Sequence, residues 1–147
     1  MKKQLFNLSL IMALVILFGS CGKYEEGPGF SLLTKKMRIT GEWKMEKIFK
    51  NGTEQELTAD SQNATMLIES DGTGKMTYTS GSLTLAVDFE WQFGDSKETF
   101  KVRMKKLDGT WDEWDESEII RLANKEFWIK DISTTSSDIY ITHFSKV

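Results

Sequence analysis

Leu83-Thr84-Leu85-Ala86-Val87-Asp88-Phe89-Glu90-Trp91-Gln92-Phe93 decides the fold. Every odd position is Leu, Val, Phe or Trp, and the even ones are Thr, Ala, Asp, Glu and Gln. Side chains of a strand alternate between two faces, whereas a helix repeats every 3.6 residues, so this stretch is a strand with one face in a core. Phe89 and Trp91 are predicted to face the interior, and Asp88 and Glu90 the solvent. A slip of one residue would turn every side chain to the wrong face.

The neighbouring sequence has the same character. Gly94-Asp95-Ser96 turns the chain into Phe100, Val102 and Met104, interleaved with Lys101, Arg103 and Lys105, and Asp108-Gly109 turns it again. Residues 119–122, 127–132 and 139–144 read as three further strands. Upstream, residues 43–46 alternate and run into the turn pair Asn51-Gly52. Met66 and Ile68 lead through Asp71-Gly72-Thr73-Gly74 into Met76 and Tyr78, a hairpin. A short helical turn over residues 31–38, with Ser31 as its N-cap, precedes the first strand. Lys47 would share a face with Trp43 and Met45 if alternation held, and a β-bulge beside it turns it outward instead. About eight short strands follow one another through tight turns, with no room for crossover helices. An open sheet would leave two unpaired edges, so an up-and-down eight-stranded barrel is expected ahead of a β-sandwich.

The first residues are of another kind. Met1-Lys2-Lys3-Gln4 is followed by nine apolar residues, Leu10 to Phe18, and then by Gly19-Ser20-Cys21. A charged start, a short apolar run and small residues before a cut make residues 1–20 an export signal. Nine apolar residues fall short of the roughly 20 a spanning helix needs. The stretch ending in Cys21 resembles a lipobox, in which the cut falls before a cysteine that carries diacylglycerol. On that resemblance Cys21 is the lipidated (palmitate-type acyl) first residue of an envelope lipoprotein held in the outer membrane, periplasmic or surface-exposed. Residues 21–30, with the only proline, are its tether, and residues 31–147 are the barrel domain. Cys21 is the only cysteine, so no disulfide supports the domain. Without Lys2 and Lys3 the chain carries 17 basic and 22 acidic residues, a net charge of −5. Such a balance offers no footprint for nucleic acid.

Gly41-Glu42-Trp43, after a short helical turn, resembles the Gly-x-Trp signature of lipocalins. The wider pattern is similar to lipocalin-like bacterial lipoproteins: lipobox, short tether, Lys-rich turn before Trp43-Lys44, Asn51-Gly52, and late in the chain Leu122-Ala123-Asn124-Lys125-Glu126-Phe127-Trp128-Ile129. The resemblance implies an all-β, antiparallel eight-stranded lipocalin-like barrel able to hold a small apolar ligand. Lipocalins tend to place an arginine of the last strand over the signature Trp, and residues 139–147 contain none.

No constellation of residues points to catalysis. His143 is the only histidine, no Gly-x-Ser-x-Gly occurs, and Cys21 is taken by lipid. One histidine is too few for a His-rich zinc site, and nothing calls for a cofactor. Residues 111–118 place five carboxylates in seven positions, but without EF-hand spacing or its central glycine. That run reads as a solvated loop, with Trp111 and Trp114 plugging a barrel end or forming a sugar-stacking or protein-docking platform. The expected function is therefore non-enzymatic. One end of the barrel would open on an apolar pocket lined by Trp43, Tyr78, Phe89 and Trp91, with residues 31–38 across the other end and the polar loop 54–62 as its lid. The alternative is an interaction module of an envelope complex whose barrel its own side chains fill.

Overall fold

A computed structural model of the chain describes residues 32–133 and 135–147. The residues expected to form the export signal, the lipidated Cys21 and the tether lie outside these residues. Two short helices and nine strands follow in order: α1 (Lys35–Ile39), β1 (Gly41–Lys50), β2 (Thr53–Gln55), α2 (Ala59–Gln62), β3 (Ala64–Ile68), β4 (Thr73–Ser80), β5 (Leu83–Phe93), β6 (Thr99–Met104), β7 (Asp115–Leu122), β8 (Glu126–Ile132) and β9 (Ile139–Lys146).

All pairings are antiparallel. From β3 to β9 each strand pairs with the next, and β1 closes the sheet by pairing with both β3 and β9. The result is the expected eight-stranded barrel rather than a sandwich. β2 is an appendage that pairs only with the far end of β1, Lys50 opposite Thr53. Asn51 (φ +49°) and Gly52 (φ +81°) connect them, two successive left-handed residues as a type I′ hairpin requires.

The register along β1 shifts between Met45 and Lys47, which leaves Glu46 as a bulge. Met45 packs with the core opposite Phe144, while Lys47 stands opposite His143 on the outer face and pairs with Glu54 at 3.5 Å. The bulge thus resolves the apparent inward lysine as anticipated, one residue earlier in the chain.

β5 obeys its alternation: Phe89 and Trp91 are buried and Asp88 is exposed. Glu90 faces outward but is half-buried, because Arg103 donates to its Oε2 from both Nε and Nη2. The Phe89 ring lies against Gly74, its cross-strand partner, where any Cβ would collide with it.

The end of the barrel where β1 begins is closed. Trp43, Ile68, Trp91, Phe100, Ile119, Leu122, Phe127 and Phe144 fill it in one aromatic-rich cluster, and Ile39 of α1 caps it with no exposed surface. α1 is N-capped by Thr34, whose Oγ1 accepts from Met37 N at 3.2 Å. This cap falls three residues after Ser31, the cap expected from sequence, which lies outside the described residues. Arg38 reaches under α1 to donate to the Leu122 carbonyl at 2.6 Å, and the Trp43 indole N–H donates to the Ile39 carbonyl at 2.7 Å.

β7 also departs from expectation, beginning at Asp115 inside the acidic run. Glu116 accepts from the Thr99 hydroxyl and pairs with Lys101, and Glu118 pairs with Lys130. Cross-strand cations, not solvent alone, compensate these carboxylates.

Candidate functional site

The opposite end, where β1 finishes, is not filled. Its interior-facing positions are set by the same alternation that buries the closed end. On β5, Leu83 and Leu85 continue the face of Phe89 and Trp91, yet they are 72% and 55% exposed. Tyr78 stands opposite Leu85 and Ser80 opposite Leu83. Below Tyr78 a cavity of about 160 Å³ is bounded by Trp43, Met45, Ala64, Met66, Met76 and Phe144. Ser61 of α2 also borders this cavity. Toward solvent, Tyr78 also lines an open groove of about 390 Å³ with Leu83, Leu85, Ser80 and Asp60. The two spaces share Tyr78 as their common wall.

α2 is the piece that crosses this mouth. Thr58 caps it, its hydroxyl accepting from Ser61 N at 3.2 Å, and none of its residues is buried. Asp60 in its first turn complements the helix N-terminus. Such a segment rests on the barrel without being anchored in the core.

The facing wall is polar. From Phe127 and Ile129 the alternation of β8 brings Asp131 inward, and from Phe144 and Thr142 that of β9 brings Tyr140 inward, opposite Asp131. On β7, Ser117 is buried and Asp115 precedes it on the same face. Burial pushes the Asp131 carboxyl above the usual carboxylate range, with the nearby Asp115 charge adding to the rise and the Ser117 hydroxyl opposing it. At the rim, Lys50 stands opposite Tyr140, with Nζ 5.6 Å from the Tyr140 ring and 2.8 Å from Asp138 Oδ2. Hydrogen bonds from Lys50, Asn51 and Ser136 hold the Asp138 carboxyl down to about 2. The mouth therefore has an apolar wall on β3–β5 and a polar wall on β7–β9.

No protein-family model matches the chain, and no curated protein matches it. Its chemistry has to be read from its own side chains.

Of the four residues expected at the pocket, the structure brings two together. Trp43 and Tyr78 border the cavity. Phe89 and Trp91 lie deeper, toward the closed end. Trp91 donates to the Glu69 carbonyl at 2.8 Å and packs against Phe93 and Phe100. Their places at the mouth are taken by Leu83 and Leu85, six residues earlier on the same strand face. The acidic-run tryptophans plug neither end. Trp111 and Trp114 lie on the outer wall, each with the Arg103 guanidinium over its ring, at 5.3 and 4.7 Å. His143 is outward too, stacked on Trp128 with ring centroids 3.8 Å apart. Among the described residues no three metal-ligating side chains converge.

Proposed function

We propose that this chain is a lipid-anchored envelope lipoprotein whose lipocalin-like barrel binds a small amphipathic molecule at its open end, without catalysing a reaction. Exposure of Leu83 and Leu85 on an interior face carries the reading. Two large apolar side chains left partly in water beside a preformed cavity are covered at a free-energy gain of about 1–2 kcal/mol each when a ligand fully buries them. The polar wall of Ser117, Asp131 and Tyr140 supplies donors and acceptors for a head group, so an apolar body with one polar end suits the site better than a pure hydrocarbon. Lys146 supports the lipocalin likeness. Its Nζ lies 5.1 Å from the Trp43 ring, a cation of the last strand over the first-strand tryptophan. It donates to the Arg38 carbonyl at 3.2 Å, and burial lowers its affinity for a proton.

The test is a titration of residues 22–147 with palmitate, deoxycholate and lysophosphatidylcholine below their critical micelle concentrations, followed by tryptophan emission, since Trp43 borders the cavity. Saturable change is expected with at least one of them, weakened in Leu85→Lys, which puts a charge on the apolar wall. If no amphiphile gives saturation, ligand binding gives way to the second reading, an interaction module of an envelope complex.

A further inference from the structure

A second surface lies on the outer wall, away from the barrel mouth. A groove of about 450 Å³ crosses β3 to β6 at the level of the Gly74–Phe89 pair. Trp111 forms one side and Leu67 borders it too, with Asp88, Glu90, Lys75 and Lys105 between them.

This groove is rigidly built. Trp111 is fixed by an antiparallel bridge to Lys105, and the next residue donates from its backbone to the Met104 carbonyl at 2.9 Å. Asp112 also pairs with Lys106 at 3.1 Å. Between them the loop is tied off by Asp108, whose Oδ1 accepts from the backbone and hydroxyl of Thr110. Arg103, held by Glu90, presses its guanidinium over both Trp111 and Trp114. The indole is thus set in place before any ligand arrives, which removes the ordering cost that weakens binding by mobile side chains.

The chemistry of the groove selects among occupants. Lysine and carboxylate alternate along it, Lys75 standing 3.8 Å from Asp88 with both about half exposed. A lipid tail would have to strip water from these charges, which is costly. A polyanion meets Asp88 and Glu90 in an acidic chain. An added peptide strand needs a free sheet edge, and here β3 to β6 are each paired on both sides. What remains is a neutral ligand with an apolar face for an indole and hydroxyls that donate to carboxylates and accept from ammonium groups. A pyranose ring has that character, its axial C–H groups meeting the groove-lining part of the indole beside Arg103 and the Lys105 ammonium, the latter 5.8 Å from the ring centroid.

We propose that the outer-wall groove beside Trp111 binds a neutral oligosaccharide. The experiment uses the full chain in a detergent without a sugar head group. Cellohexaose, maltohexaose, chitohexaose, mannohexaose and xylohexaose are titrated into the millimolar range by calorimetry. At least one should bind saturably, and Trp111→Ala should weaken it about tenfold or more. Because Trp111 also covers Arg103, the variants Asp88→Asn and Lys75→Gln, on half-exposed side chains, serve as the test should Trp111→Ala fold poorly, and each should weaken the same sugar. Leu85→Lys, at the mouth, should leave sugar binding unchanged, which separates this site from the cavity. Failure of all five sugars to saturate overturns the proposal. So does binding that Trp111→Ala, or both groove variants, leave intact.

Discussion

Asp88, Glu90 and Trp91 lie within four residues of one strand and carry three different weights. Trp91 is buried, with its indole hydrogen bond satisfied, so Trp91→Ala should cost about 3–5 kcal/mol through the lost apolar burial and the cavity left behind. Asp88 is loosely paired in water, and Asp88→Ala should stay within about 0.5 kcal/mol. Glu90 lies between these cases: its carboxylate holds Arg103 beneath two indoles, but a third of each side chain is in solvent. Screening there leaves about 1 kcal/mol for Glu90→Ala. Urea midpoints in the order Trp91→Ala lowest, then Glu90→Ala, then Asp88→Ala check all three, and a Glu90→Ala midpoint equal to that of Asp88→Ala would remove the role assigned to the Arg103 clamp.

Asp138 carries a pH signature of its own. Its folded pKa, about 2, lies below the ordinary value of 3.8, so its contribution is fully present above pH 4 and is lost as pH falls toward 2. Asp138→Asn should therefore be less stable than the native chain at pH 7, with the difference shrinking between pH 4 and pH 2. Denaturation midpoints at pH 7, 4, 3 and 2 would show the gap closing. A gap independent of pH would mean that the Lys50 pair contributes nothing through charge.

At the scale of elements, legibility followed how far each element's stability is local. β5 was legible because its alternation runs unbroken through eleven residues. The Asn51-Gly52 hairpin was legible because few residue pairs accept two left-handed conformations in a row. β7 was hidden because Asp115, Glu116 and Glu118 read as solvated, and only the fold brings Lys101 and Lys130 beside them. α2 was hidden because three of its four residues are polar and it has no apolar face, although Thr58 with Asp60 two positions on was a helix-start signal. The mouth was half legible. Leu83 and Leu85 follow the same pattern as Phe89 and Trp91, and whether such a position is filled depends on the opposite wall, which no pattern in β5 encodes. Because α2 has no buried residue, it should open independently of the barrel. Its amides are expected to exchange with solvent roughly a hundredfold or more faster than those at the β1–β9 seam, about 2.8 kcal/mol less opening free energy. Thr58→Ala should widen the difference by removing the cap. Equal protection of α2 and the seam in a hydrogen-exchange experiment would show instead that α2 is part of the barrel's cooperative unit.

At the scale of the whole molecule, closure joins residues about a hundred positions apart, Trp43 of β1 and Lys146 of β9. Non-local pairing of this kind folds slowly, in milliseconds to seconds. Ending the chain after residue 138 removes β9 and leaves β1 and β8 as open edges, so the truncated protein should associate through them, as size-exclusion chromatography at increasing concentration would reveal. A monomeric, well-folded truncation would show that closure does not protect the edges. The proposed anchor belongs to this scale as well. Metabolic labelling with a fatty acid should mark the native chain and not Cys21→Ala, and label retained by the variant would refute lipidation at Cys21.

The cap formed by α1 decides how the molecule would stand. The chain enters the barrel at the end that Ile39 seals, and the fourteen Cα–Cα steps from Cys21 to Lys35 reach at most about 50 Å. With Cys21 in the lipid, as proposed above, a tether drawn in well below that limit would make the sealed end the foot and turn the mouth to the aqueous compartment. Cargo would then come by diffusion through water or by handover from another molecule, not by sliding sideways out of the leaflet that holds the protein. Loading should accordingly follow the concentration of free monomeric amphiphile, and stay indifferent to how much of it is dissolved in the host membrane.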